Sequence, residues 1–489
     1  MGYDIVYRDA TVYDGSGSAA ITADVAVGGD RIAEVGTVSG PSGRDVDATG
    51  LALTPGFIDV HTHDDFAAML HPDMAFKSLG GVTTCIVGNC GMGVAPRDTA
   101  WKLGESFHPG ATPPEYDGFA GYFEVLDEQP PGVNIGVLAG HGTIRLEAMG
   151  TEPAAPTPPQ MAAMKSLLGE AVEAGVLGLS TGLVYEPGRH ATTDELIELA
   201  SELTGTGCLY ATHMRDEGVG LLDSISEALT IGRAADIPVQ ISHHKANGRT
   251  AWGLVQQSLA LIDDARAAGQ VVHADQYPYT AGSTILSAAV QWLEPGTGLE
   301  PSDLVIASCA AHPSWEGRSI DAVAAELDCD PRQAAAAVLV EEPNTTVVIH
   351  SMDEDDVRTV MAHPSTMIGS DGLPTLHAKP HPRLSNTFAR VLGHYARELG
   401  VFDTAEAVHR MTGMSADAFG LVDRGRVRAG AFADLVLFDE ATVVDRATYA
   451  DPLRMPTGIS EVVVNGTVVA SEGVHTGARP GRGLRRAAT

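Results

Sequence analysis

Apolar and polar residues alternate with a period of two at both ends of the chain. Residues 4–15 (DIVYRDATVYDG) and 23–36 (ADVAVGGDRIAEVG) join this alternation to Asp-Gly and Gly-Gly turns, which predicts strands. Residues 433–439 (ADLVLFD) and 461–473 (EVVVNGTVVASEG) read the same way, with Asn465-Gly466 as a hairpin turn. Two β-rich ends around a different middle predict one small β-sandwich domain built from residues 1–55 plus 425–489. The final ARPGRGLRRAAT is basic and Gly-rich, and predicts a frayed tail.

The middle has another rhythm. Short apolar runs at 56–61, 81–88, 133–141, 175–180, 207–213, 237–244, 270–278 and 366–371 alternate with Ala-, Leu- and Glu-rich stretches such as 158–175 and 220–236. Eight β units with intervening helices predict a TIM-like (β/α)8 barrel over residues 56–424. An open doubly wound sheet is the alternative, but no Gly-rich phosphate fingerprint follows the first strand. The stretch between Asp275 and Ser370 is too long for one crossover, and predicts an inserted subdomain at about 285–348. Lying over the active edge, it suits a lid or, equally, a subunit contact.

Composition narrows the class. The chain has 489 residues, 44% of them hydrophobic and 19% charged, enough for a large folded core. Lys and Arg number 31 against 63 Asp and Glu, a formal charge of −32, which argues against nucleic acid and anionic membranes as partners. Five scattered cysteines do not make a disulfide framework. The N-terminus carries no secretory pattern and no run is long enough to span a bilayer, so the expected compartment is the cytoplasm.

Barrel chemistry sits at the C-terminal ends of the strands. Here the first strand ends in His61-Thr62-His63, the second runs into Cys90, the fifth ends in His213, the sixth in His243-His244 and the eighth in Asp371. A lone His or Cys is more often structural. So many at one rim point to a metal site. Strand residues two apart share a side, so His61 and His63 both face the barrel axis, whereas His244 points away from His243 and is structural. Cys85, Cys208, Cys309 and Cys329 read as core.

The ordered set PGFIDVHTHDD, GVTTCIVGNCG, GLVYEPG, ATHMRDEG, ISHHK, DQYPYTAGST, SDG and HPRLSNTFARVLG resembles the N-acyl-D-amino-acid deacylases (D-aminoacylases) of the amidohydrolase superfamily. The resemblance runs from about Tyr3 to Gly466, with departures at Asn386 and His190 near substrate-facing loops. It implies zinc-dependent hydrolysis of a small-molecule N-acyl-D-amino acid, giving a carboxylic acid and a free D-amino acid. Cys90, His213 and His243 are the implied ligands of one tightly bound zinc, leaving a position open. His61, His63 and Asp371, sharing Cys90, are candidates for a second, weaker metal position. Asp371 is the candidate proton acceptor; a helix N-cap is its other reading.

For the substrate carboxylate the resemblance implies Lys245, Tyr279 and Ser283. Arg383 either joins them or holds Asp371 or a loop, and Tyr185 either faces the substrate carbonyl or packs at a turn. Arg215, Asp216 and Glu217 read as a network behind His213 or as a solvated loop. The fourth strand carries no lysine to bridge two metals, which disfavours a hydantoinase-like or dihydroorotase-like hydrolase; a dipeptidase-like amide hydrolase is the other alternative. The complete donor set disfavours a non-catalytic scaffold.

Overall fold

The computed structural model describes residues 2–486. Eight parallel strands lie in chain order: β1 (Phe57–Asp59), β2 (Val82–Val87), β3 (Asn134–Gly140), β4 (Gly178–Gly182), β5 (Leu209–His213), β6 (Val239–Ile241), β7 (Val272–Gln276) and β8 (Thr366–Ile368). Each pairs with its sequence neighbour, and a parallel bridge between Thr62 and Gly372 closes the ring. The strands are buried on both faces, so they read as continuous apolar runs rather than alternations.

Helices return the chain between strands. The helix Pro158–Ala174 shows why. Pro158 fixes the first turn, Thr157 and Gln160 form a capping box, and Gly175 ends the helix in the left-handed region. Its Met164 and Leu168 are fully buried, at about 1.5–3 kcal/mol each. Helices Leu221–Ala235 and Val255–Ala267 follow β5 and β6 and likewise bury an apolar face, with Ile225 and Ile231 in the first and Val255 and Ile262 in the second.

Strands from both chain ends share one nine-stranded sheet, joined where Ala52–Pro55 runs antiparallel to Leu435–Phe438. Tyr7, Val25, Leu53, Leu435 and Val463 form its core. The Asn465-Gly466 turn has both residues at positive φ, as a tight hairpin requires. Between β7 and β8, the strands Ala281–Ile285, Leu304–Ser308 and Thr346–His350 form a separate three-stranded sheet with its own core around Ile306, Trp315 and Val338.

The C-terminal segment corrects the expectation of a frayed tail. Gly483–Leu484 adds to the barrel beside β3, Gly481 N donates to Pro131 O, and Arg486 N donates to Gly175 O. Composition is overridden here by backbone hydrogen bonds. Residues 487–489 of that tail lie outside the described residues.

Candidate active site

The strand ends bring the candidate residues together. Cys90 Sγ lies 3.3 Å from His61 Nε2, 3.7 Å from His213 Nδ1 and 3.6 Å from His243 Nε2, all buried. Tetrahedral zinc with one thiolate and imidazoles would set sulfur and nitrogen about 3.6 Å apart, from its bond lengths of roughly 2.3 and 2.05 Å. The donors therefore stand where a metal would hold them. His213 Nε2 is buried with no hydrogen bond, 3.7 Å from Glu217 Oε2, and Asp371 Oδ1 is 3.2 Å from His63 Nε2 and 3.5 Å from His61 Nε2. His61 is as close to Cys90 as His213 and His243 are, so the six donors form one continuous cluster.

The backbone is bent to make this cluster. Cys90, His243 and Asp371 all have positive φ (55°, 34° and 50°), a conformation costly for side-chain-bearing residues and tolerated where surrounding structure enforces it. Gly88 lets the turn before Cys90 form: with φ of +82°, a Cβ there would sit 2.1 Å from Leu138 O. The helix after Asp371 begins only at Arg383, so Asp371 caps no helix.

Charges set the protonation states. Burial alone would raise the Cys90 thiol. The His61 charge and hydrogen bonds with His213, His243 and His61 outweigh it and hold the thiol well below its ordinary value. Burial also opposes ionisation of Asp371, but Arg383, His243, His61 and His63 keep it a carboxylate. Burial raises the Tyr185 hydroxyl well above its ordinary value, so it stays a donor.

A carboxylate orients each of two imidazoles. His243 turns Nε2 to Cys90 and Nδ1 to Glu217 Oε1 at 2.9 Å. His61 turns Nε2 to Cys90 and Nδ1 to Asp275 Oδ1 at 3.2 Å. Such partners fix the tautomer and ring orientation of a metal-ligating histidine. Glu217 thus belongs to a network, not a solvated loop, whereas Asp216 is exposed. Asp275 was missed by sequence reading, and so was Lys77. Fully buried, Lys77 Nζ lies 2.9 Å from Asp59 Oδ2, 3.1 Å from Asp64 Oδ2 and 3.0 Å from Ser370 Oγ.

The substrate-facing expectations divide. Lys245, Ser283, Tyr185 and Asp371 line one space with His213 and His243. Lys245 Nζ donates to Glu217 at 2.6 Å, and Ser283 Oγ donates to Val347 O at 2.9 Å. Tyr185 lies 3.0 Å from Thr284 Oγ1. Arg383 Nη2 holds Asp371 Oδ2 at 2.9 Å, while its buried Nε and Nη1 have no partner. Tyr279 is misplaced by sequence reading: its ring packs under Arg390 and edge-on to His381, away from that space. Tyr277 lines it instead, with an unpartnered buried hydroxyl beside Arg383. The chain leaves β7 at Gln276, so the period of two no longer applies between 277 and 279. Of the others, His244 lies 2.8 Å from Ser258 Oγ, away from the cluster. Asn386 anchors the backbone of Arg446, Ala447 and Arg454, and His190 pairs with Glu186.

The chain is similar to known proteins over nearly its whole length. The model of the amidohydrolase family matches residues 44–301 and 305–470. A D-aminoacylase of Alcaligenes xylosoxydans xylosoxydans is 42% identical, over 99% of this chain and 98% of its own. An N-acyl-D-aspartate deacylase of the same organism is 40% identical, over 98% and 95%. A crystal structure of D-aminoacylase superposes with a TM-score of 0.90 at 40% identity, covering 99% of this chain and all of that one. An N-acyl-D-glutamate deacylase from Bordetella bronchiseptica, complexed with zinc and a phosphonate inhibitor, gives 0.89 at 37% identity over the same shares. With its barrel, its added β domain and its rim of His, Cys and Asp, the chain belongs to the N-acyl-D-amino-acid deacylase family of the amidohydrolase superfamily, hydrolases that act on linear amides.

Proposed function

We propose that this enzyme hydrolyses N-acyl-D-amino acids to a carboxylic acid and a free D-amino acid, using one zinc ion held by Cys90, His213 and His243. The observation that carries the reading is the 3.6–3.7 Å spacing of Cys90 Sγ from the His213 and His243 nitrogens, with His61 at 3.3 Å and the Asp371 carboxylate beside them. Zinc in such a site supplies a Lewis acid that polarises the amide carbonyl and acidifies water.

The chain's own groups do the rest. Asp371 accepts the proton of the attacking water and passes it to the leaving amine. Arg383 pins its Oδ2 and leaves Oδ1 turned towards His61 and His63. A carboxylate held below its usual range is a weak base, which suffices when the proton comes from acidified water. Tyr185 donates to the carbonyl oxygen. The substrate carboxylate is received by Lys245, the Tyr277 hydroxyl and the free NH groups of Arg383, which gives those orphaned buried donors an acceptor. His61, His63 and Asp371 would hold a second metal ion, and an ion there would engage the carboxylate that must accept the proton.

The test is metal reconstitution. Metal-stripped protein should regain hydrolysis of N-acetyl-D-methionine at one equivalent of zinc, whereas Cys90→Ala should neither retain zinc nor turn over. Full zinc occupancy in Cys90→Ala would refute the ligand assignment.

A further inference from the structure

Two cavities flank the donor cluster. One, of about 510 Å³, opens beside Cys90 and Tyr185 and is walled by Met92, Leu103, Ile285 and Val290. The other, of about 400 Å³, opens beside His213 and Glu217 and is walled by Asp216, Asn247 and Trp292. Trp292 and Asn247 also face the space that holds Lys245, Tyr277 and Asp371. With the α-carboxylate at Lys245 and the amide at the donor cluster, the acyl group and the amino-acid side chain have these two cavities to fill.

An acidic side chain entering either cavity needs a desolvated cation with free donors. Arg215, in the second cavity, is one-third exposed and has four of its five N–H groups engaged. Its Nε and Nη2 lie 3.0 and 2.9 Å from Glu227, and Nη1 and Nη2 also donate to Arg189 O and Ala191 O. The remaining charges there, Asp216 and Glu217, are negative. In the first cavity the cations stand at the mouth. Arg189 and Arg332 have 48% and 49% exposed side chains and face Glu186 and Glu294, and Lys102 is exposed. Exposed, screened charges contribute little. Among the described residues that line the two cavities, no buried cation has a free donor.

Resting on the deacylase reading above, we infer that this enzyme selects N-acyl-D-amino acids with neutral, apolar side chains and rejects the D-glutamate and D-aspartate derivatives. An acidic side chain would lose its hydration without gaining a partner. The two relatives named for acidic substrates would then differ from this chain in the charge of the cavity that receives the side chain.

The test compares kcat/KM of the zinc-loaded enzyme for the N-acetyl derivatives of D-methionine, D-leucine, D-glutamate and D-aspartate. The neutral substrates should lead by about 100-fold. Equal or higher values for either acidic substrate overturn the inference, whereas no hydrolysis of any of the four overturns the deacylase reading beneath it.

Discussion

In the proposed site Cys90 is the common neighbour of His61, His213 and His243, and Asp371 closes the group from the other side. Different losses separate their roles. Asp371→Asn should keep its zinc by elemental analysis yet lose about 10²–10⁴-fold in kcat, the range for removal of a positioned base. An active Asn variant would exclude the assignment. Glu217→Gln should leave the fold intact but weaken zinc affinity about 10- to 100-fold in a chelator competition, because His243 loses the carboxylate that orients it. The residues at the strand ends were legible in the sequence, because a barrel collects such positions at one rim. Asp275, Lys77 and Tyr277 were not. Their evidence is contact between distant segments: Asp275 with His61, Lys77 with Ser370, and Tyr277 with Arg383.

At the scale of elements, the closure of the barrel is built around one buried cation. Lys77 ties Asp59 and Asp64, at the exit of β1, to Ser370, at the exit of β8. Ser370 N in turn donates to Asp59 Oδ1 at 2.7 Å, and Asp371 N donates to His61 O at 2.7 Å. Lys77→Met would strand two buried carboxylates and should cost about 3–5 kcal/mol in denaturant unfolding. A loss below 1 kcal/mol would show that the carboxylates find other partners. The eight strands could be read from their apolar runs, and the joined ends from period-two alternation. The docking of residues 481–486 on the barrel could not, since Gly- and Arg-rich composition carries no pattern and its stabilisation comes from backbone pairing with β3.

For the whole molecule, the charge of −32 surrounds a site that must receive an anion. Lys245 and Arg383, buried beside the donor cluster, are each paired with a carboxylate, Glu217 and Asp371, so zinc in the proposed site would supply the positive excess that receives it. Acid should weaken the fold through histidines buried in their neutral form. Burial, with Arg266 adding to it, pushes His273 down to about 4. The unfolded chain takes up that proton near 6.5, so its share of stability is present above that pH, falls as pH drops from about 6.5 to about 4, and then levels off. Tm measured between pH 7 and pH 4.5 should therefore fall less in His273→Gln than in the parent. An equal or steeper fall would exclude His273 as a contributor.

Enantiomer-resolved hydrolysis bears most directly on the proposed activity. Zinc-loaded enzyme given N-acetyl-D-methionine and N-acetyl-L-methionine in separate reactions should release free methionine from the D form. Release from the L form alone would contradict the proposal.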